Sequence, residues 1–208
     1  MCVCPDGDFY RCLREGKASV VTGHIESIND RGVKMTDGTQ VDADIIVSAT
    51  GFQLQKNFPM STMQVTVDGV PYDSAQKLVY RGIMISGVPN FAFVIGYTNA
   101  SWTLKADLAC MFVSKLLNHM DSNSYAVCCP HADDGDMTEK EELLPLSSGY
   151  IKRAAKRIPK QGARAPWRLD NNYFYDFANL SFGGYNDGAM QFTPASAPAA
   201  AGAGRSRL

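Results

Sequence analysis

Residues 89–108, PNFAFVIGYTNASWTLKADL, have types and an order that could do chemistry. Phe91, Phe93 and Ile95 alternate with Ala92 and Val94, which predicts a strand over 89–96 that is apolar on both faces and sits inside a sheet. Gly96 closes it, a polar corner follows, and an amphipathic helix begins near residue 101. A helix N-terminus carries unpaired N–H groups and about half a positive charge. It favours an anionic or electron-rich atom next to its first turn. The pyrimidine edge of a reduced flavin is such a group. Backbone amides of Ser101, Trp102, Thr103 and Leu104 could stabilise it, with Tyr97, Asn99 and Trp102 shaping its surroundings. The competing reading is a buried helix with Ser101 or Asn99 as its cap and one core tryptophan.

A second stretch, ADIIVSATG (43–51), holds the continuous apolar run Ile45, Ile46, Val47 and predicts a central strand buried on both faces. It ends in Ala49, Thr50 and Gly51. Small residues there let a backbone or a cofactor come close; a strand end that needs a tight turn reads the same way.

Other chemistries lack their residues. No G-x-G-x-x-G or Walker loop is present. His24, His119 and His131 have no nucleophile partner in motif context, and Ser48 sits in VSATG rather than in a G-x-S-x-G elbow, which excludes the common hydrolase patterns. The six cysteines (2, 4, 12, 110, 128 and 129) give one C-x-C and one adjacent pair, without a second pair at ligand spacing. They read as free thiols, Cys110 packed in a core, with no metal site.

The elements around these stretches follow from local pattern. Residues 8–15 predict a short helix with Asp8 as cap and Gly16 as its end. Residues 18–28 are β-rich, and 31–41 form a hairpin turning at Asp37-Gly38, together a β-meander. Residues 52–78 are mostly loop with one hairpin in MQVTVDGVPY. The helix over 101–120 repeats Leu104, Leu108, Phe112 and Leu116 at i+4, widened by Met111, Val113, Leu117 and Met120, which predicts a long, largely buried helix. Residues 121–149 read as a solvated connection with an acidic surface run, 147–160 as a short basic helix ending near Pro159, and 167–182 as an aromatic segment packing back on the body. Residues 194–208 are expected to be a disordered tail of low complexity. Its final Ser206-Arg207-Leu208 is a chance likeness to a peroxisomal address.

With 208 residues the chain has room for one domain or one and part of another. Its formal net charge of −1 argues against a nucleic-acid partner. No apolar run reaches ~18 residues, so no membrane span is expected. The N-terminus lacks the apolar core of a signal peptide, and a cytoplasmic protein is expected.

Several blocks carry a likeness to a known family. CVCPDGDFYRCLREGKASVVTGHIE, DADIIVSATGF, YRGIMISGVPNFAFVIGYTNASWTLKADL, LLNHMD and GYIKRAAKRIPKQGARAPWRLDNNY closely resemble the C-terminal part of bacterial flavin-containing monooxygenases, nearest the Baeyer–Villiger group with the ethionamide-activating enzymes. The likeness covers residues 1–193. It implies an α/β fragment of a flavoprotein with two dinucleotide-binding domains: residues 1–42 the end of the NADPH-binding domain, 43–193 the last part of the FAD-binding domain. It implies NADPH and FAD as cofactors, dioxygen and a small organic substrate as partners, and insertion of one oxygen atom into a ketone or at sulfur or nitrogen through a C4a-peroxyflavin. Thr50 and Gly51 match the family's return into the FAD domain. Residues 97–104 match the segment beside the flavin ring, so Tyr97, Asn99, Ser101, Trp102, Thr103 and Leu104 are implied cofactor contacts rather than bond-making groups. Both glycine-rich loops, and an arginine that stabilises the peroxyflavin, lie upstream of the matching region. No catalytic residue is therefore assigned. A separate N-terminal half is one implied partner, and a non-catalytic remnant or interaction module is the alternative. Without that half, the strands at 43–50 and 89–96 are expected to lose sheet neighbours and leave apolar faces bare.

Overall fold

A computed structural model describes residues 4–57 and 62–195. The chain divides into two compact units, Met1–Gly51 and Phe52–Leu208.

In the first unit, helix α1 (Asp8–Arg14) follows Gly7 at its N-cap. Asp8 does not cap it; the side chain sits in the first turn, 2.6 Å from Arg11. The Gly16 N–H donates to the Leu13 carbonyl and the Lys17 N–H to that of Cys12, ending the helix where the glycine was expected to end it. Strands β1 (Ile25–Asn29), β2 (Gly32–Met35) and β3 (Gln40–Asp42) form an antiparallel meander in the order β1-β2-β3. The β2–β3 turn holds Asp37 and Gly38, with Asp37 Oδ1 accepting the Thr39 N–H. Residues 18–24 are not in a strand.

The run 43–51, expected as a doubly buried strand, is neither paired nor buried. Ile45 and Val47 are each 82% exposed. The reason is hydrogen bonding: a central strand needs neighbours on both edges, and among the described residues none pairs with this run.

The second unit is built on helix α3 (Trp102–Ser122), preceded in sequence by the short α2 (Leu54–Asn57). Leu108, Ala109, Phe112, Leu116 and Met120 make one buried stripe. They pack against Tyr80, Ile83, Met84, Trp167, Leu180 and Met190. Each fully buried large apolar side chain contributes about 1.5–3 kcal/mol of hydrophobic stabilisation. The helix is half-buried rather than largely buried: Leu117 is exposed, Leu104 lies at the solvent end of the stripe, and Cys110, expected in a core, is on the outer face. Its place is set by the 3.6-residue period, which turns position 110 away from 108 and 112.

Around α3, β4 (Val65–Val67) and β5 (Val70–Tyr72) form the expected hairpin, with Asp68 and Gly69 both at positive φ in its turn. β6 (Val79–Tyr80) pairs with β7 (Met84–Ile85), β8 (Tyr125–Pro130) with β11 (Met190–Pro194), and β9 (Lys140–Glu142) with β10 (Lys160–Gly162), all antiparallel. The acidic stretch is more than a solvated connection. It contains α4 (Asp134–Thr138), closed by a reciprocal capping box between Asp133 and Asp136. Asp136 Oδ2 also accepts the indole N–H of the buried Trp167 at 2.9 Å. Helix α5 (Gly149–Ala154) is the expected basic helix, and Ile151 and Ala154 enter a second core with Val79, Ile95, Leu143 and Ile158. Helix α6 (Tyr173–Phe182) packs on α3, as the aromatic segment was expected to. Pro194 lies in β11, and the rest of the expected tail beyond residue 195 falls outside the described residues.

Candidate functional site: the turn before helix α3 and its apolar cleft

The segment 91–97 is not a sheet strand. Its Phe93 N–H donates to the Ile83 carbonyl at 2.8 Å. The alternation is kept, with Phe91 and Phe93 half-buried, Ile95 buried, and Ala92 and Val94 exposed. One face is therefore covered and the other bare, against the expectation of two buried faces. The apolar residues alternate correctly, but no strand among the described residues lies alongside them.

Gly96 and Tyr97 are buried, and the chain then turns through residues 98–101 into α3. Ser101 stands at the N-cap, yet its side chain caps nothing. Its Oγ lies 2.8 Å from Thr103 Oγ1. The Leu104 N–H donates to the Ser101 carbonyl at 3.3 Å, but the Ser101 side chain does not cap the first turn, whose N-terminal end keeps its pull on electron-rich atoms. Trp102, about half exposed, lies against Gly96 so closely that a Cβ at position 96 would fall 2.1 Å from its Cδ2. The glycine here is required by close approach rather than by its backbone angles.

The turn is held from behind by the start of α6. Asn172 caps that helix, accepting the N–H groups of Phe174 and Tyr175. Its neighbour Asn171, at φ 51°, points its Oδ1 at the turn and accepts the Thr98 N–H at 3.1 Å and the Thr98 hydroxyl at 3.2 Å. The Asn99 amide donates back to the Asn171 carbonyl at 3.0 Å. One turn further on, Asp176 Oδ2 accepts the Tyr97 hydroxyl at 2.7 Å and the Lys105 ammonium at 2.8 Å. Burial pushes the Tyr97 phenol well above its usual range, and its bond to Asp176 adds to the shift. Burial pulls the Lys105 ammonium down, with the Asp176 carboxylate opposing. A buried ammonium stripped of its carboxylate costs about 3–5 kcal/mol, so this pair fixes where the two helices meet.

Beside the turn lies an apolar cleft of about 420 Å³, lined by Ile95, Tyr97, Thr98 and Trp102 and by Phe52, Leu144, Leu146, Tyr150, Ile151 and Ile158. Its size is that of a small-molecule site. Such a cleft can take a flat, largely apolar ring system while the adjoining helix N-terminus meets its polar edge.

Of the residues the sequence singled out, Tyr97 and Trp102 border this cleft. Asn99, Ser101, Thr103 and Leu104 are exposed on the same turn and first helical turn without lining it. Thr50 and Gly51 are exposed and belong to the other unit. Sequence reasoning passed over Thr98, Lys105, Asn171 and Asp176. Lys105 did carry a signal: it falls three residues before Leu108, inside the apolar stripe, where a lysine needs a buried counterion. Among the described residues no group of histidines, cysteines and carboxylates could hold a metal ion, and no helix is long and apolar enough to cross a membrane.

These features are found in a chain that is similar, over nearly its whole length, to the FAD-containing monooxygenases. It is 44% identical over 192 residues to the "Probable FAD-binding monooxygenase AlmA" of an Acinetobacter species, a match covering 92% of this chain and 38% of that protein. It is 41% identical over 198 residues to the FAD-containing monooxygenase EthA of Mycobacterium tuberculosis, covering 95% of this chain and 40% of that protein. With EthA of Mycolicibacterium smegmatis it shares 40% identity over 193 residues, 93% of this chain and 38% of the other. The chain therefore spans about two fifths of the length of these curated relatives. No family model matches it, and no solved structure does.

Proposed function

We propose that this chain is the flavin-flanking part of an FAD-dependent monooxygenase. Its 97–104 turn and apolar cleft border the flavin ring, and the whole enzyme transfers one oxygen atom from dioxygen to a small organic molecule, a ketone or a sulfur or nitrogen centre. Residues 1–42 are read as the end of an NADPH-binding domain and 43–193 as the C-terminal part of the FAD-binding domain, with Thr50 and Gly51 at the return between them.

One observation carries the reading. In a chain 38–44% identical to FAD-containing monooxygenases, a helix N-terminus without a side-chain cap adjoins an apolar cleft edged by Trp102 and Tyr97. These residues fit a flavin. The amides at the start of α3 would donate to its electron-rich edge. Trp102 and Tyr97, with Ile95 behind them, would hold its apolar body and exclude water. Thr98, Asn99 and Ser101 would keep the turn polar where the ring edge is polar. When bound and reduced, with NADPH as the electron source, FAD supplies the activation of dioxygen. The protein's own part is to bind, orient and desolvate.

The test is a visible spectrum of the purified chain after incubation with FAD and desalting, repeated with Trp102→Ala. The expected result is a retained flavin band in the wild type whose position or intensity changes in the variant. A band identical in the two would remove Trp102 from the ring's surroundings. A colourless wild-type chain whose tryptophan emission is indifferent to added FAD would mean that this stretch does not hold FAD without the glycine-rich loops upstream of it.

A further inference from the structure

The turn before α3 does not hold itself. Its backbone bond forward runs from the Leu104 N–H to the Ser101 carbonyl, at 3.3 Å, and its corner is fixed by side chains that arrive from more than seventy residues away. We propose that Asn171 and Asp176 are positioning residues of the cofactor site: from the start of α6 they set the backbone of residues 97–101 and thereby the aim of the α3 N-terminus and the Trp102 ring. This rests on the reading of that turn as the flavin-facing segment.

Asn171 Oδ1 accepts both the Thr98 N–H and its hydroxyl, and the Asn171 carbonyl accepts from Asn99, so three bonds fix two consecutive turn residues. A half-buried N–H left without its acceptor is unfavourable enough to reorder a short polar turn. Asn171 can reach the turn because its backbone is left-handed, at φ 51°, a conformation that asparagine adopts more readily than most residues. Asp176 holds the other end. Its single oxygen Oδ2 joins the Tyr97 hydroxyl, just before the corner, to Lys105 Nζ, just after it, and Lys105 Nζ also lies 5.7 Å from the centre of the Tyr97 ring. The corner is thus gripped before, within and after by one helix start. Any motion of α6 relative to α3 would be felt at Trp102.

The grip is tested at Asn171 rather than at Asp176. Removing the Asp176 carboxylate leaves Lys105 buried without its counterion, which is enough to unfold the chain for that reason alone. Asn171→Gly avoids this, because glycine takes φ near +50° without strain and only the side-chain acceptor is lost. Asn171→Asp keeps the acceptor and is the conservative control. The chain has two tryptophans, Trp102 at the turn and Trp167 in the core. With both replaced by 5-fluorotryptophan, each gives one fluorine resonance, and Trp102→Phe assigns them.

In Asn171→Gly the Trp102 resonance is expected to shift or broaden while that of Trp167 stays near wild type. Asn171→Asp should restore the Trp102 line. FAD affinity is expected to fall about tenfold in Asn171→Gly and to return in Asn171→Asp. A Trp102 line in Asn171→Gly that superimposes on the wild type overturns the proposal, whatever FAD does. If the Trp102 line moves in the variant while the wild-type line ignores added FAD, the grip on the turn stands and it is the flavin-facing reading that fails.

Discussion

Gly96 and Trp102 show how one missing side chain sets a site. The indole occupies the space that any Cβ at position 96 would need. Gly96→Ala is therefore expected to push Trp102 off the segment and toward the cleft or solvent, at a cost of about 1–3 kcal/mol from overpacking. Intrinsic tryptophan fluorescence with iodide quenching checks this, since Trp167 is buried and should not be quenched. The variant's Trp102 should become more accessible to iodide; unchanged quenching would mean that the indole does not rest on Gly96. The glycine was legible in the sequence as the end of an apolar run. Its reason was not, because the ring that fills the space is brought back only when the turn closes.

At the scale of elements, the second unit is tied together by a few buried polar joints. Asp187 is one. Its carboxylate accepts the Tyr80 hydroxyl at 2.6 Å and Arg81 at 2.8 Å, and its other oxygen accepts the N–H groups of Ala189 and Met190, so it joins the end of β6 to the start of β11. Burial pushes this carboxyl up, but the bonds from Tyr80, Arg81 and Met190 together outweigh burial and hold it below the ordinary range. A carboxyl depressed in the folded state binds fewer protons there than in the unfolded chain. Its stabilisation is present above the unfolded value of about 3.9 and is lost as pH falls through the folded value. Asp187→Asn should lower the melting midpoint at neutral pH and flatten its decline below about pH 4. Parallel wild-type and variant curves across that range would show that Asp187 is not the group that titrates. The elements so joined were foreseen in part. The 65–72 hairpin, the meander and α3 follow from Asp-Gly turns and i+4 repeats. The partners of Asp187 could not be foreseen, since they lie 106 and 107 residues away along the chain.

For the whole molecule, the two units differ in kind. The second has continuous cores around α3 and α5. In residues 4–51 the buried apolar side chain is Met35, while Ile25, Ile28, Ile45 and Val47 stand open. Exposed apolar runs of this kind mark an interaction surface or an aggregation liability, and the bare faces of 43–51 and 91–95 agree with the expectation for strands without sheet neighbours. Replacing Ile45 and Val47 together by threonine should reduce light scattering and self-association of the purified chain and leave its stability within about 0.5 kcal/mol of wild type. A clear loss of stability would show that this run is packed in solution.

By itself the sequence determined what depends on neighbours a few residues apart: turns at Asp37-Gly38 and Asp68-Gly69, the stripe of α3, the alternation of 91–95, and the likeness to flavin-containing monooxygenases that the curated relatives share. Tertiary structure alone decided which of those apolar faces are covered. A strand's burial depends on hydrogen-bond partners elsewhere in the chain, and the runs at 43–51 and 91–97 find no paired strand among the described residues. It also decided what grips the site. Asn171 and Asp176 look like surface residues, and the counterion of Lys105 has no place in the sequence, until two helices far apart in sequence pack together. A buried ammonium and an unpaired turn amide then leave the chain no cheaper arrangement than the one in which they meet.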